Sequence, residues 1–374
     1  MVELSIPYVN LAAQWEDEKI DLLPIIEKVM SSGQFVGGEE VELFEQKAAD
    51  FCGTKYCVAL NSGTDALVLG LAALGVRPGD EVITPPNSFI ASTAAIIHLR
   101  AKPVFVDVQP DQNIDPTLIE EAITSKTKAI MPVHLTGRMA AMEQISEISQ
   151  KYNIPVIEDA AQSIGSLLAG EKSGSYGEVG CFSTHPLKNL NACGDGGFVT
   201  TNKKDIAENI ALMRNHGLID RNSVARFGYV SRMDTIQAAI LNYRLQGLPN
   251  IIEKRRINAS LYQELLNNEF IFYPPEKSIE FNTYHTFVIQ VEERDELKLY
   301  LEQKEICTSI HYPIPIHLQP SSHFLGYKSS DFPVTEEHSQ HILSIPIHQY
   351  LSKNDIQIIS KSINDFFEGK RIVH

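Results

Sequence analysis

The stretch "GCFSTHPLKNLNACGDGGFVTT", residues 180–201, holds two short apolar and β-branched runs, 180–184 and 197–201, around a polar loop with a single lysine, Lys188, and a glycine-rich turn. Runs of that length bounded by Gly and Pro read as strands. A lysine where a strand ends has two fates. It can snorkel its amine out to water, the commoner outcome, or it can be held out of water with a depressed pKa, where the neutral amine is a nucleophile toward aldehydes. The rest of the chain decides between them.

Outward from this stretch, further apolar runs read as strands: "YCVAL" (56–60), "EVITP" (81–85), "KPVFVDV" (102–108), "KAIMPVHL" (128–135) and "PVIEDA" (155–160). Between them, residues 64–74, 91–99, 116–124 and 141–152 carry helical spacing. Strand and helix alternate in βα units, and most strands are apolar on both faces, as strands covered by helices on both sides must be. The expectation is an α/β fold with a mostly parallel seven-stranded sheet. Beyond Gly217 the pattern changes. "MDTIQAAILNYRLQGLP" (233–249) reads as a helix stopped by Gly247 and Pro249, followed by a second helix; a strand at 282–291 and helices at 294–304 and 353–369 follow. A boundary is expected between a large domain, 1–245, and a smaller C-terminal α+β domain, 246–374.

Composition narrows the function. The 374 residues are 43% hydrophobic, enough to bury a large core, and 32 Lys and Arg against 47 Asp and Glu leave a net charge of −15. That balance disfavours nucleic acid and anionic membranes as partners. No apolar run approaches the ~18 residues of a spanning helix and no signal peptide opens the chain, so a cytoplasmic location is expected. Five cysteines without a Cys-x-x-Cys pair read as reduced and mostly buried. His338 and His341 in "EEHSQH" have metal-like spacing without a third ligand, so no metal is expected and the pair reads as a solvated helix face.

In an open α/β sheet, ligands bind outside the carboxyl ends of the strands, and three motifs fall there. "ALNSGTDAL" offers Ser62, Gly63 and Thr64 where a strand meets a helix; its free amides suit a phosphate, and the same residues would serve as an ordinary N-cap. Neither a Walker loop nor Gly-x-Gly-x-x-Gly is present. "VIEDAAQSIG" places Asp159 at an apolar strand end, where it needs a cationic or charged hydrogen-bonding partner, or caps the next segment; Gln162 follows within reach. Lys188 is the third. Together they match the needs of pyridoxal phosphate: a lysine for its aldehyde, an acid for its pyridine nitrogen, amides and hydroxyls for its phosphate.

The segments "NSGTDAL", "GDEVITPPNSF", "PVIEDAAQS", "FSTHPLKNL", "GDGGFVTTN", "SRMDTIQAAIL" and "HYPIPIHLQP" occur in an order that resembles the DegT family of pyridoxal-phosphate-dependent sugar aminotransferases, over nearly the whole chain. The resemblance implies a fold-type I architecture and a homodimer with shared active sites. It implies L-glutamate as amino donor and a keto-deoxysugar, nucleotide-linked, as acceptor, on the way to a surface polysaccharide, lipopolysaccharide or secondary metabolite. Residue by residue, it gives Lys188 as the lysine that bonds the cofactor's aldehyde and Asp159 as the partner of the ring nitrogen. Gln162 falls near the phenolic oxygen, Gly63, Thr64 and Ser183 on the phosphate, and Phe89 over the ring. His185, Arg232, Tyr312 and His317 fall in segments that border the substrate. One position departs from the pattern: Val230 stands where relatives carry an Asn that reaches the neighbouring subunit's cofactor phosphate, leaving Ser231 as the nearby hydroxyl. Two rival readings accompany this one. A sugar dehydratase of the same fold would carry histidine in place of Lys188, and a non-catalytic cofactor-binding regulator would keep the site without turnover.

Overall fold

The computed structural model describes residues 6–371. Two helices lead the chain, α1 (Leu11–Ser32) and α2 (Glu39–Cys52), followed by β1 (Tyr56–Leu60), α3 (Gly63–Ala73), β2 (Glu81–Thr84), α4 (Ile90–His98), β3 (Lys102–Phe105), α5 (Ile119–Ala122), β4 (Thr127–Ile130), α6 (Met142–Tyr152) and β5 (Ile157–Asp159). Then come a small hairpin, β6 (Leu167–Leu168) and β7 (Glu171–Lys172), the strands β8 (Val179–Ser183) and β9 (Gly197–Thr201), and α7 (Lys204–Arg214). The remainder is α8 (Thr235–Leu265), β10 (Glu280–Phe281), β11 (Phe287–Gln290), α9 (Arg294–Gln303), α10 (Pro333–His341), β12 (Ile342–Ile345) and α11 (Lys353–Arg371).

Seven strands make the central sheet. β1, β9, β8 and β5 pair in that order, β4, β2 and β3 pair beside them, and parallel bridges Ile130 to Val156 and Val133 to Asp159 join the halves. Every neighbouring pair is parallel except those of β9, which runs against both β1 and β8. The expected mostly parallel sheet is therefore present, and its one reversed strand has a local cause. The loop from β8 to β9 returns on the same end of the sheet, so Ser183 pairs with Gly197 and the Phe182 and Phe198 rings stack at 4.6 Å. That loop carries Lys188 past the carboxyl ends of the parallel strands.

Successive strand residues face opposite sides. Val58, Leu60, Ile157, Val179 and Val199 pack with α3 and α7 on one face. Cys57, Ala59, Phe182 and Phe198 pack with α2 and the first half of α8 on the other. The C-terminal unit has its own core, in which β11 and β12 pair antiparallel beneath α9 and α11.

Two expectations need correction. The stop at Gly247 and Pro249 is not observed: α8 is one helix with Pro249 inside it. An interior proline costs about 3 kcal/mol, but this helix is fixed at both ends. Leu241, Leu245 and Leu248 are buried in the large unit's core, and Ala259 and Tyr262 in that of the C-terminal unit. His338, read as part of a solvated face, is buried on α10, with its pKa lowered by burial. No group of three or more metal-ligating side chains occurs among the described residues, and none of their helices is long and apolar enough to cross a membrane. Cys52, Cys57 and Cys181 are buried, and Cys193 and Cys307 exposed, all unpaired.

Candidate active site

Most of the residues singled out by sequence converge on one cavity of about 420 Å³ at the carboxyl ends of the strands. Gly63, Thr64, Phe89, Asp159, Gln162, Ser183, His185, Lys188 and Tyr312 all line it. A larger depression of about 1450 Å³ on the C-terminal unit contains none of them, so chemistry rather than volume identifies the site.

One wall is the start of α3. Ser62 caps it, its Oγ accepting the Asp65 amide at 3.1 Å. The amides of Gly63 and Thr64 belong to the helix's first turn and have no intrahelical acceptor. The glycine is required by close approach: a Cβ at Gly63 would lie 2.6 Å from the Ser183 Cβ. The result is a small concave set of amides and hydroxyls at a helix N-terminus, with the dimensions and polarity of a phosphate cradle.

Opposite, Asp159 ends β5. Its Oδ2 accepts from Ser92 Oγ at 2.6 Å and its Oδ1 from the Ala161 amide at 3.2 Å, which together fix the carboxylate plane. Ser92 comes from the first turn of α4, just after Phe89. Gln162 is held by its Oε1 accepting the Thr136 amide at 2.8 Å, and its Nε2 lies 3.5 Å from the Tyr312 hydroxyl. Phe89 and Tyr312 lie 5.9 Å apart, centroid to centroid, on the open side.

Lys188 projects between these walls. The cavity leaves part of it accessible, yet protein surrounds the side chain, and loss of hydration lowers its pKa from 10.5 to about 8 despite the opposing pull of Asp159. Burial also raises the Tyr312 phenol above its usual range, with Asp159 adding to the effect. Lysine, acid and amide cradle therefore fit pyridoxal phosphate in both charge and type.

Two sequence candidates lie elsewhere. His317 is buried away from the cavity, its Nε2 3.0 Å from Glu336 Oε1 and its ring 4.8 Å from that of Phe332. Arg232 lies outside the lining and donates to Asn215 Oδ1 at 3.2 Å. Ser231 does not stand in for the missing Asn at 230. It is fully buried and donates to Asn61 Oδ1 at 3.2 Å, whereas Val230 is exposed.

Other lining residues escaped the sequence reading: Tyr8, Ser92, Arg255, His285, His311 and His348. Two of them had an available signal: Ser92 lies one helical turn from Phe89, and His311 directly precedes Tyr312 in "HYPIPIHLQP". Tyr8 arrives because Ile6 pairs with Ile306 and Pro7 accepts from His348, so the N-terminal stretch crosses to the C-terminal unit. His285 is driven well below the usual histidine range by burial and then by Lys188, Arg255 and two other histidines. His311 falls to about 4, by burial and by Lys188.

A family model described as the DegT/DnrJ/EryC1/StrS aminotransferase family matches residues 16–364. The chain is 40% identical to dTDP-3-amino-3,6-dideoxy-alpha-D-galactopyranose transaminase of Aneurinibacillus thermoaerophilus, over 96% of this chain and 99% of that protein. It is 38% identical to a pleiotropic regulatory protein of Geobacillus stearothermophilus, over 97% and 99%. Among solved structures, DesV of S. venezuelae in complex with a ketimine intermediate superposes with a TM-score of 0.95 at 35% identity, covering 97% of this chain and 99% of that one.

Proposed function

The chain belongs to the DegT/DnrJ/EryC1/StrS aminotransferase family, and from that membership we propose that it transfers the amino group of L-glutamate to a nucleotide-linked keto-deoxysugar at the cavity holding Lys188. It is a pyridoxal-phosphate-dependent sugar aminotransferase of amino-sugar biosynthesis. The enclosure of Lys188 between Asp159 and the N-terminus of α3 carries the assignment of roles.

When bound, the cofactor supplies an electron sink for the donor's α-carbon. The chain's own groups do the rest. Lys188 Nζ, its pKa lowered to about 8 by burial, would take the proton from the donor's α-carbon and hand the same proton on within the site. Asp159 would keep a proton on the ring nitrogen, its carboxylate fixed by Ser92 and the Ala161 amide. Gly63, Thr64 and Ser183, all in the lining, would hold the phosphate, Gln162 the phenolic oxygen and Phe89 the ring. His185 and Tyr312, also in the lining, would face the substrate.

A second copy of the chain completes the assembly. Ile20, Leu23 and Met30 on α1, and Phe227, Tyr229 and Val230 near Arg232, leave apolar surface exposed that a monomer has no use for. In that assembly Arg232, which lies outside its own cavity's lining, would serve the partner's.

The test is the visible spectrum of the holoprotein. Addition of L-glutamate bleaches the yellow form, and 2-oxoglutarate restores it. A protein that stays yellow with glutamate but bleaches with another amino acid has a different donor. One that remains colourless with added pyridoxal phosphate does not have this site.

A further inference from the structure

We propose that the end of the cavity walled by Arg255 and His285 is an anion subsite that binds a carboxylate of the amino donor. The proposal rests on the aminotransferase reading above and adds the group that selects the donor.

Four arginines are less than a tenth exposed: Arg138, Arg244, Arg255 and Arg294. Three of them meet a carboxylate, Arg138 with Glu280 at 2.8 Å, Arg244 with Glu18 at 2.6 Å and Arg294 with Asp295 at 2.6 Å. Arg255 meets none among the described residues. Its Nη1 donates to the carbonyls of Tyr284 and His285 at 3.1 and 3.2 Å, and its Nη2 to Gln349 Oε1 at 3.4 Å. All three acceptors are neutral. Its Nε is buried without a partner, as is Nδ1 of the neighbouring His285. A buried charge with no counter-ion is strongly unfavourable. A cavity wall that retains one is matched to a ligand that brings the opposite charge.

The surroundings fit that account. Burial lowers the Arg255 pKa to about 10, so the guanidinium is still charged at neutral pH. His285 is held neutral by burial and by nearby cations, Arg255 and Lys188 among them. Asp159 bears on Lys188 and Tyr312, whereas the titratable groups around Arg255 are the Tyr8 phenol and the imidazoles of His285 and His348, none of them a carboxylate. The cavity wall thus carries an acid that bears on Lys188 and, beside His285, a guanidinium that no carboxylate neutralises.

Either substrate could bring a carboxylate, the amino acid always and a sugar only if it is a uronic acid. The dimensions favour the amino acid. About 420 Å³ is toward the small end of the ~300–1,000 Å³ typical of ligand sites, and the cofactor occupies much of it. A volume of that size has room for a short linear dicarboxylate beside the cofactor, whereas a nucleotide-linked sugar must keep most of its bulk outside.

The experiment is isothermal titration of the wild-type holoprotein with glutarate, a dicarboxylate lacking the amino group, and with glutaramide, its neutral diamide. Glutarate is expected to bind at least tenfold more tightly, and equal binding overturns the proposal without any variant. Arg255→Gln is then expected to weaken glutarate binding by about 30-fold or more, the scale for removing one member of a buried charge pair, with Arg255→Lys intermediate. The KM for glutamate should rise in step, and that for the keto sugar far less. A rise confined to the sugar KM would assign the guanidinium to the acceptor and overturn the proposal. Because binding is read without turnover, the two readings fail separately. A protein that binds glutarate through Arg255 but bleaches with no amino donor overturns the donor reaction alone. One that bleaches normally and takes glutaramide as readily as glutarate overturns the subsite alone.

Discussion

The depressed pKa of Lys188 makes a prediction that needs neither cofactor nor substrate. Burial lowers that pKa from 10.5 to about 8, so at pH 7 about a tenth of the amine is neutral, roughly 300-fold more than for an ordinary lysine. Cofactor-free protein treated with a small aliphatic aldehyde and borohydride should be alkylated at Lys188 with a pH midpoint near 8, read by peptide mass spectrometry. Exposed lysines such as Lys28 and Lys361, whose acid partners raise their pKa values, should react only at higher pH. Asp159→Asn removes the group that opposes the depression, so its midpoint should fall further. A wild-type midpoint near 10.5, or an upward move in Asp159→Asn, would refute the desolvation argument. The same shift has a stability counterpart. Unfolded chains hold this proton up to about 10.5 and the folded one only to about 8, so the unfolded state binds more protons in that window and stability rises with pH across it. The penalty is fully present below pH 8. Its ceiling is about 3 kcal/mol, and partial contact with water reduces it to about 1–2 kcal/mol. Lys188→Met should stabilise the cofactor-free protein by that amount at pH 7 and lose the advantage by about pH 10.5.

Three further outcomes are expected. Ser92→Ala removes the 2.6 Å bond to Asp159, and hydrogen bonds to charged groups are worth about 1.5–3 kcal/mol, so kcat/KM should fall about 10- to 100-fold while Ser92→Thr retains most activity; steady-state kinetics decide. Gly63→Ala drives a methyl to 2.6 Å from the Ser183 Cβ, so cofactor affinity, measured by absorbance titration, should drop more than tenfold with little change in the circular dichroism spectrum. Glu158 is fully buried and accepts from His134 and the amides of Gly174 and Gly177. Glu158→Leu strands those groups at about 1–3 kcal/mol each and should lower the thermal midpoint sharply or abolish soluble expression.

How much of this was legible in the sequence depends on where each feature gets its information. The seven strands were legible because each is a short run, and most are buried on both faces, a property of their own residues. The reversal of β9 was not, since it depends on where the 184–196 loop returns to the sheet. The passage of α8 through Pro249 was also hidden, because a local proline signal is outweighed by burial in two separate cores. Lys188 and Asp159 announced themselves as charges at apolar strand ends. His317 misled because its neighbourhood borders the cavity while its ring turns to Glu336.

Arg255 and Arg256 show why the remaining site residues were out of reach. They are adjacent in "EKRRIN" and identical in type, so no property of the segment distinguishes them. On α8 they point about 100° apart. Arg256 pairs with Glu276 at 2.7 Å and lies 4.0 Å from the Phe281 ring, while Arg255 lines the cavity with no carboxylate beside it. The information is in the partners, and those come from β10, the segment around His285 and the loop at Gln349. A charged residue in a helix is ambiguous until its surroundings are known. Once they are, the one that folding leaves buried and uncompensated carries the most about function, because only a ligand can complete it.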